Sequence, residues 1–207
     1  MTRAGADALV RELRRAVTDE RVLSAVRSVP RDAFVPRALR HEAWENIPLP
    51  IACGQTISQP LVVARMCELL ELRGHEHVLD VGTGSGYHAA LLSRLAAHVW
   101  SIELHAELSE RAAECLAAAG ATNVTLVVGD GCAGLPAHAP YDAINVAAAA
   151  SLDIPDALVA QLGPRGRLVA PVEERDDQRL VLLRRGRLGI VREELERVRF
   201  VPLVGPG

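Results

Sequence analysis

Val78-Leu79-Asp80-Val81-Gly82-Thr83-Gly84-Ser85-Gly86 is a short apolar run that ends in a carboxylate and is then broken by three alternating glycines. Residues 78–81 read as a buried strand, and residues 87–96 behind the glycines carry apolar side chains at helical spacing. The same rhythm continues outward. Residues 99–102 form the next strand, 106–119 a helix closed by Gly120, and 124–128 a third strand. A fourth strand is expected over 143–146 and a helix over 155–162, with a helix before the glycines over 61–72. Strands alternating with helices in this way require parallel pairing with right-handed crossovers, hence an α/β doubly wound sheet. The tail changes character. Residues 167–170, 179–183 and 189–200 are strand-like and closely joined, so the sheet should end in an antiparallel hairpin. Arg184-Arg185-Gly186-Arg187 reads as a turn of that hairpin.

A doubly wound sheet binds its ligand at the carboxyl ends of the strands, where the order reverses. Glycines suit that place because the turn is tight and the ligand lies against bare backbone. A dinucleotide loop normally spaces its glycines G-x-G-x-x-G and offers helix amides to a pyrophosphate. Here the last interval is one residue shorter and Asp80 stands at the strand end. A carboxylate repels a pyrophosphate but suits a ligand carrying sulfonium and ammonium groups, which points to S-adenosyl-L-methionine. Glu103 follows the second strand about 20 residues on, where an acid accepts from ribose hydroxyls. Asp130, in Gly129-Asp130-Gly131 after the third strand, is placed to accept from an adenine amino group. Singly, each acid reads equally as a cap or turn residue. Three acids at successive strand ends read as a nucleoside site.

The 207 residues, 49% apolar and 24% charged, fit one cored domain. We divide it into an N-terminal helical and irregular segment, 1–60, and a core with C-terminal strands, 61–207. No apolar run approaches the ~18 residues that span a bilayer, and the N-terminus lacks the apolar stretch of a secretory signal. A net charge of −3 and 3% aromatic residues oppose nucleic-acid binding. All 23 basic residues are arginine, a bias we attribute to coding composition. Cys53, Cys67, Cys115 and Cys132 form no C-x-x-C pair and read as buried, reduced thiols. His75 and His77 lack the convergent partners that zinc requires, so no metal is expected. A cytoplasmic monomer is the expectation.

Residues 8–17 and 21–29 read as two amphipathic helices, the second ending at Pro30. From there to Pro60 the chain is rich in proline and without periodicity. A long irregular stretch in a compact domain tends to be functional, here a lid or substrate platform.

Several segments taken together identify a resemblance. They are Val29-Pro30-Arg31-Asp32-Ala33-Phe34-Val35-Pro36, Ala43-Trp44-Glu45-Asn46-Ile47-Pro48-Leu49-Pro50-Ile51 and Gly54-Gln55-Thr56-Ile57-Ser58-Gln59-Pro60. The glycine turn, Ser101-Ile102-Glu103, Gly129-Asp130-Gly131 and Val198-Arg199-Phe200-Val201-Pro202-Leu203 complete the set. Over nearly its whole length the chain is similar to the bacterial type of the protein-L-isoaspartate O-methyltransferase family. The 54–60 run is the most specific part, since many methyltransferases share the glycine turn.

The resemblance implies a Rossmann-like methyltransferase fold with a seven-stranded sheet. It also implies transfer of a methyl group from S-adenosyl-L-methionine to the α-carboxylate of isoaspartyl residues in damaged proteins and peptides. By the same resemblance Ser58 is the active-site hydroxyl, with Thr56 and Ile57 lining the substrate cleft. Gln55, Thr56, Ser58, Asp80, Gly82, Thr83, Gly84, Glu103, Leu104, Asp130 and Gly131 hold the cofactor. From the residues alone, a serine before Gln-Pro can equally cap a helix. Ile47, Ala52, Leu61 and Asn145 depart from the family pattern and bear on substrate range. The competing expectation is a methyltransferase of the same fold dedicated to one modified peptide or a small molecule. A catalytically silent cofactor-binding module is opposed by the intact Thr56 and Ser58.

Overall fold

A computed structural model describes residues 3–174 and 177–205. The outer bounds of the expected domain, 1 and 207, lie outside them. Helices α1 (Arg3–Leu13) and α2 (Glu20–Ser28) open the chain, and α3 (Pro60–Leu69) follows the proline-rich stretch. Then come β3 (His77–Val81), α4 (Tyr87–Ser93), β4 (His98–Glu103), α5 (Ala106–Ala118), β5 (Val124–Val128) and β6 (Tyr141–Val146). The two-residue β7 (Ala150–Ser151), α6 (Asp156–Ala160), β8 (Leu162–Glu174), β9 (Asp177–Gly186) and β10 (Gly189–Val198) complete it. The first two strands, β1 (Leu49–Pro50) and β2 (Thr56–Ile57), form a separate small hairpin.

The main sheet runs β10-β9-β8-β6-β3-β4-β5, with β7 beside β8. Strands β5, β4, β3, β6 and β8 are mutually parallel, and β9 and β10 fold back antiparallel. The expected seven strands are the main path, and β7 is an eighth. The C-terminal hairpin is a three-stranded meander. Its tight turn lies at Arg187-Leu188, so Arg184 and Arg185 belong to β9 and pair with Val191 and Ile190.

Because side chains alternate along a strand, each strand serves two cores. Val78, Val99, Ala143, Val169 and Leu180 pack beneath helices α1–α5. Leu79, Ile102, Ile144, Leu168 and Val181 pack on the other face, with Leu158 of α6. Exposed Arg192, Glu193, Glu194 and Glu196 on the outer strand β10 oppose edge-to-edge pairing. No helix among the described residues is long and apolar enough to cross a membrane. All four cysteines are free, but only Cys67 is buried. Cys53 is exposed, because it sits at the tip of the small hairpin.

The stretch 30–60 is ordered without being regular. Its prolines deny it a helical ladder, and it is built from short 3-10 turns at Arg31–Phe34, Arg37–Leu39 and Ala52–Gly54 plus the hairpin β1–β2. The carbonyls left over converge on one side chain. Arg31, completely buried, donates to the carbonyl oxygens of Ala43 (2.5 Å), Ile47 (3.0 Å) and Ser58 (3.2 Å). Its guanidinium also lies 5.7 Å from the Tyr87 ring centroid on α4. No carboxylate pairs with it among the described residues. Asn46 adds a second tie, its Oδ1 accepting from the Leu61 amide in the first turn of α3 (3.0 Å). In consequence Thr56-Ile57-Ser58 is held in a fixed relation to the glycine turn.

Replacing Arg31 with Met would leave these carbonyls buried without donors, at about 1–3 kcal/mol each. We expect urea unfolding to show Arg31→Met destabilised by at least about 3 kcal/mol, with Arg31→Lys between it and the wild type. A loss below about 1 kcal/mol for the Met variant would remove Arg31 from this role.

Candidate active site

The chain leaves β3, builds β4 and β5 to one side, and returns to place β6 on the other, so the strand order reverses between β3 and β6. Brought together at that switch point, the glycine turn and its neighbours line an open cleft of about 800 Å³. Gly82, Gly84 and Gly86 all take left-handed φ values of 90°, 54° and 85°, which explains why a side chain is excluded at each. Gly131 has a different reason. A Cβ there would lie 2.6 Å from Val81 Cγ1, so only a glycine lets the segment after β5 close against β3.

The cleft has three walls. Gln55, Thr56, Ile57 and Ser58 form one, and Gly82, Thr83, Gly84, Glu103, Leu104 and Gly131 form the second. The third is the tail Val201–Val204, which Ala149 fixes by accepting from the Leu203 amide and donating to the Val201 carbonyl. Ser58 precedes α3 without capping it, and its hydroxyl makes no hydrogen bond among the described residues. The alternative reading of Ser58 as a helix cap is thereby set aside. Glu103 is 6% exposed; its Oε2 accepts from the Gly84 amide (2.8 Å) and its Oε1 from the His105 amide (3.0 Å). Both oxygens keep a lone pair for ribose-type hydroxyls. Apolar Ile102, Leu104 and Leu203 stand near it for an aromatic base. This donor set fits a nucleoside with a polar tail.

Two expected ligands are placed differently. Asp130 does not line the cleft, although Gly131 does. Its Oδ1 accepts from the Cys132 amide (2.8 Å), and its carboxylate faces Gly205. Asp80 is completely buried beneath the glycine turn and also does not line the cleft. Its oxygens are taken by Asn145 Nδ2 and Ser101 Oγ, each at 2.7 Å. Because the Ser101 proton goes to Asp80, Thr83 donates to Ser101 in turn (2.6 Å). The acid therefore braces the turn from below.

Sequence reasoning passed over Ser101, Asn145 as a partner, and His88. Asn145 Nδ2 also lies 3.2 Å from His88 Nδ1, and burial pushes that imidazole's pKa down to about 3, so it is neutral. A signal was present. Asp80 is in register with Ser101 on one side and with Asn145 on the other, so three neighbouring strands each carry a polar residue at the same level.

Comparison with known proteins follows the same lines. The family model for protein-L-isoaspartate(D-aspartate) O-methyltransferase matches residues 4–206. A protein-L-isoaspartate O-methyltransferase of Methanoculleus marisnigri is 55% identical over 92% of this chain and 86% of its own length. One from Methylorubrum extorquens is 54% identical over 92% of this chain and 83% of its own. Among solved structures, a protein-L-isoaspartate O-methyltransferase superposes with a TM-score of 0.86 at 27% identity, covering 97% of this chain and 66% of that one.

Burial raises the Asp80 pKa from 3.8 to about 6, against the opposing hydrogen bonds from Ser101 and Asn145. Between those pH values the folded protein keeps a proton that the unfolded chain releases, so stability falls as pH rises and is flat above. Relative to Asp80→Asn, we expect the wild type to lose about 3 kcal/mol between pH 3.5 and 7 in urea titrations. A difference independent of pH would contradict a buried, titrating Asp80.

Proposed function

The chain belongs to the protein-L-isoaspartate(D-aspartate) O-methyltransferase family, and from that premise we propose how its own residues carry the reaction. The enzyme transfers a methyl group to the free α-carboxylate of L-isoaspartyl residues, with S-adenosyl-L-methionine as donor. When bound, that cofactor supplies an electrophilic methyl group on a sulfonium. The observation that carries the reading is the Ser58 hydroxyl, which has no hydrogen-bond partner among the described residues and belongs to a residue whose carbonyl Arg31 holds beside the cleft that Glu103 and the glycine turn line.

The acceptor needs little activation. An α-carboxylate with a pKa of about 3.5 is already ionised at neutral pH, so neither a base nor a metal has to generate it. With the donor bound, a carboxylate oxygen would take the methyl group as the S–CH₃ bond breaks, and the electron pair would stay on sulfur. Such in-line displacement is accelerated by alignment and by exclusion of water. Ser58 donates to the carboxylate and orients it. A neutral donor holds the anion without quenching its nucleophilicity as a cation would. Thr56 and Ile57 line the acceptor's approach, while Gln55, Gly82, Thr83, Gly84, Leu104 and Gly131 surround the cofactor. Glu103 accepts from the ribose hydroxyls. Asp80 and Asp130 act one layer back, the first by bracing the turn and the second by shaping the segment that carries Gly131.

We read the protein as a general repair enzyme of the cytoplasm, active as a monomer on damaged proteins and peptides. The ester it makes collapses through a succinimide, which reopens in part to normal aspartate. A net charge of −3 supports a protein acceptor over nucleic acid or a membrane surface.

A short peptide containing L-isoaspartate should accept methyl groups from labelled cofactor, and its aspartate twin should not. Equal labelling of both would sink the repair reading. Loss of a hydrogen bond to a charged group should make Ser58→Ala about 10- to 100-fold slower on the peptide, with cofactor affinity nearly unchanged. Glu103→Ala should do the reverse, raising the cofactor dissociation constant by a similar factor in a binding titration.

A further inference from the structure

Ser58 and Thr56 line not one cavity but two. Beside the cleft lies a second, open pocket of about 730 Å³, lined by Pro48, Val62 and Phe200 and by two arginines, Arg197 and Arg199. Ser58 therefore stands at the border between the two spaces. The cations differ in circumstance. Arg197 is engaged by Asp177 at 2.8 Å, whereas Arg199 has neither an ion pair nor a side-chain hydrogen bond among the described residues. Nor is Arg199 on a loose end. The next residue, Phe200, is clamped by Gln178, which accepts from its amide (2.6 Å) and donates to its carbonyl (3.2 Å). Among the described residues Arg199 is thus a cation without a counter-charge, its backbone held beside the pocket, in a protein whose net charge is −3.

On the methyl-acceptor reading this pocket takes the chain that flanks the isoaspartate, and we propose that Arg199 determines specificity there. It favours a carboxylate on a residue flanking the isoaspartate and disfavours a cation. The proposal rests on the methyl-acceptor reading above. If an acceptor carboxylate meets Ser58 from this side, its chain continues through the cavity, and residues 3.8 Å apart bring a neighbouring side chain toward Arg199. Apolar Pro48, Val62 and Phe200 supply contact that is indifferent to sequence. The charge of Arg199 supplies the discrimination, and at a half-open rim it has the modest size of an exposed ion pair.

The test uses three matched isoaspartyl peptides with Glu, Gln or Lys beside the isoaspartate, prepared in both flanking positions. With the wild-type chain we expect kcat/KM to fall in the order Glu, Gln, Lys in at least one position, by about three- to fivefold per step. The effect should lie in KM and fade at 1 M salt. Arg199→Gln should bring the three peptides to equal kcat/KM, and Arg199→Lys should keep the order. Equal rates in the wild type, an order that persists in Arg199→Gln, or one insensitive to salt would each overturn the role of Arg199. Failure to methylate any of the peptides would overturn the methyl-acceptor reading itself, and this inference with it.

Discussion

A buried guanidinium organises this molecule. Arg31 is completely buried, no carboxylate among the described residues pairs with it, and four carbonyl oxygens and an aromatic face surround it instead. Those carbonyls belong to Ala43, Glu45, Ile47 and Ser58, which span the stretch that has no regular ladder to satisfy its own backbone. Buried backbone acceptors must find donors, and a planar fork with five N–H groups can serve several at once. The irregular segment is thus irregular only in dihedral angles. It is fixed by one side chain, and Ser58 is among the residues it fixes.

On the other side of the cleft the same economy applies to a carboxylate. Asp80 is placed under the glycine turn, where burial raises its pKa, and Ser101 and Asn145 turn toward it. The turn needs support because three of its residues hold left-handed backbone angles. Glu103 ties the turn from above through the Gly84 amide, and the Thr83–Ser101–Asp80 chain ties it from below. The glycine turn and the stretch 30–60 are therefore each stiffened by a buried charged group, one of either sign. This suits a reaction limited by alignment.

Much of this was legible in the sequence, for identifiable reasons. Strands β3, β4 and β5 were placed to within a residue or so because their apolar runs are short and end at turn residues. Helix α1 begins earlier than its apolar spacing indicated, since the alanines of its first turn carry little pattern. Helix α6 ends at Ala160 because Leu162 already belongs to β8, and an apolar residue does not reveal which element owns it. Glu103 and the glycines, which line the cleft, could be named from their places at the strand ends, whereas Thr56 and Ser58 came only from the family resemblance. Asp80 and Asp130 were harder. An acid at a strand end announces a charge but not the direction of its side chain, which the pleat and the neighbouring strands decide. Arg31 was quoted within a motif, yet its work could not be seen, because its partners are backbone atoms up to 27 residues away.

The central claim is spatial: cofactor on the glycine side, acceptor carboxylate on the other, and the Ser58 hydroxyl between them. A crystal structure with S-adenosylhomocysteine and an isoaspartyl peptide bound together tests it directly. The expected result has Ser58 Oγ within hydrogen-bonding distance of the isoaspartyl α-carboxylate, with the cofactor sulfur across from it beside the glycine turn. A peptide carboxylate bound away from Ser58, or a sulfur on the same side as the peptide, would contradict the account.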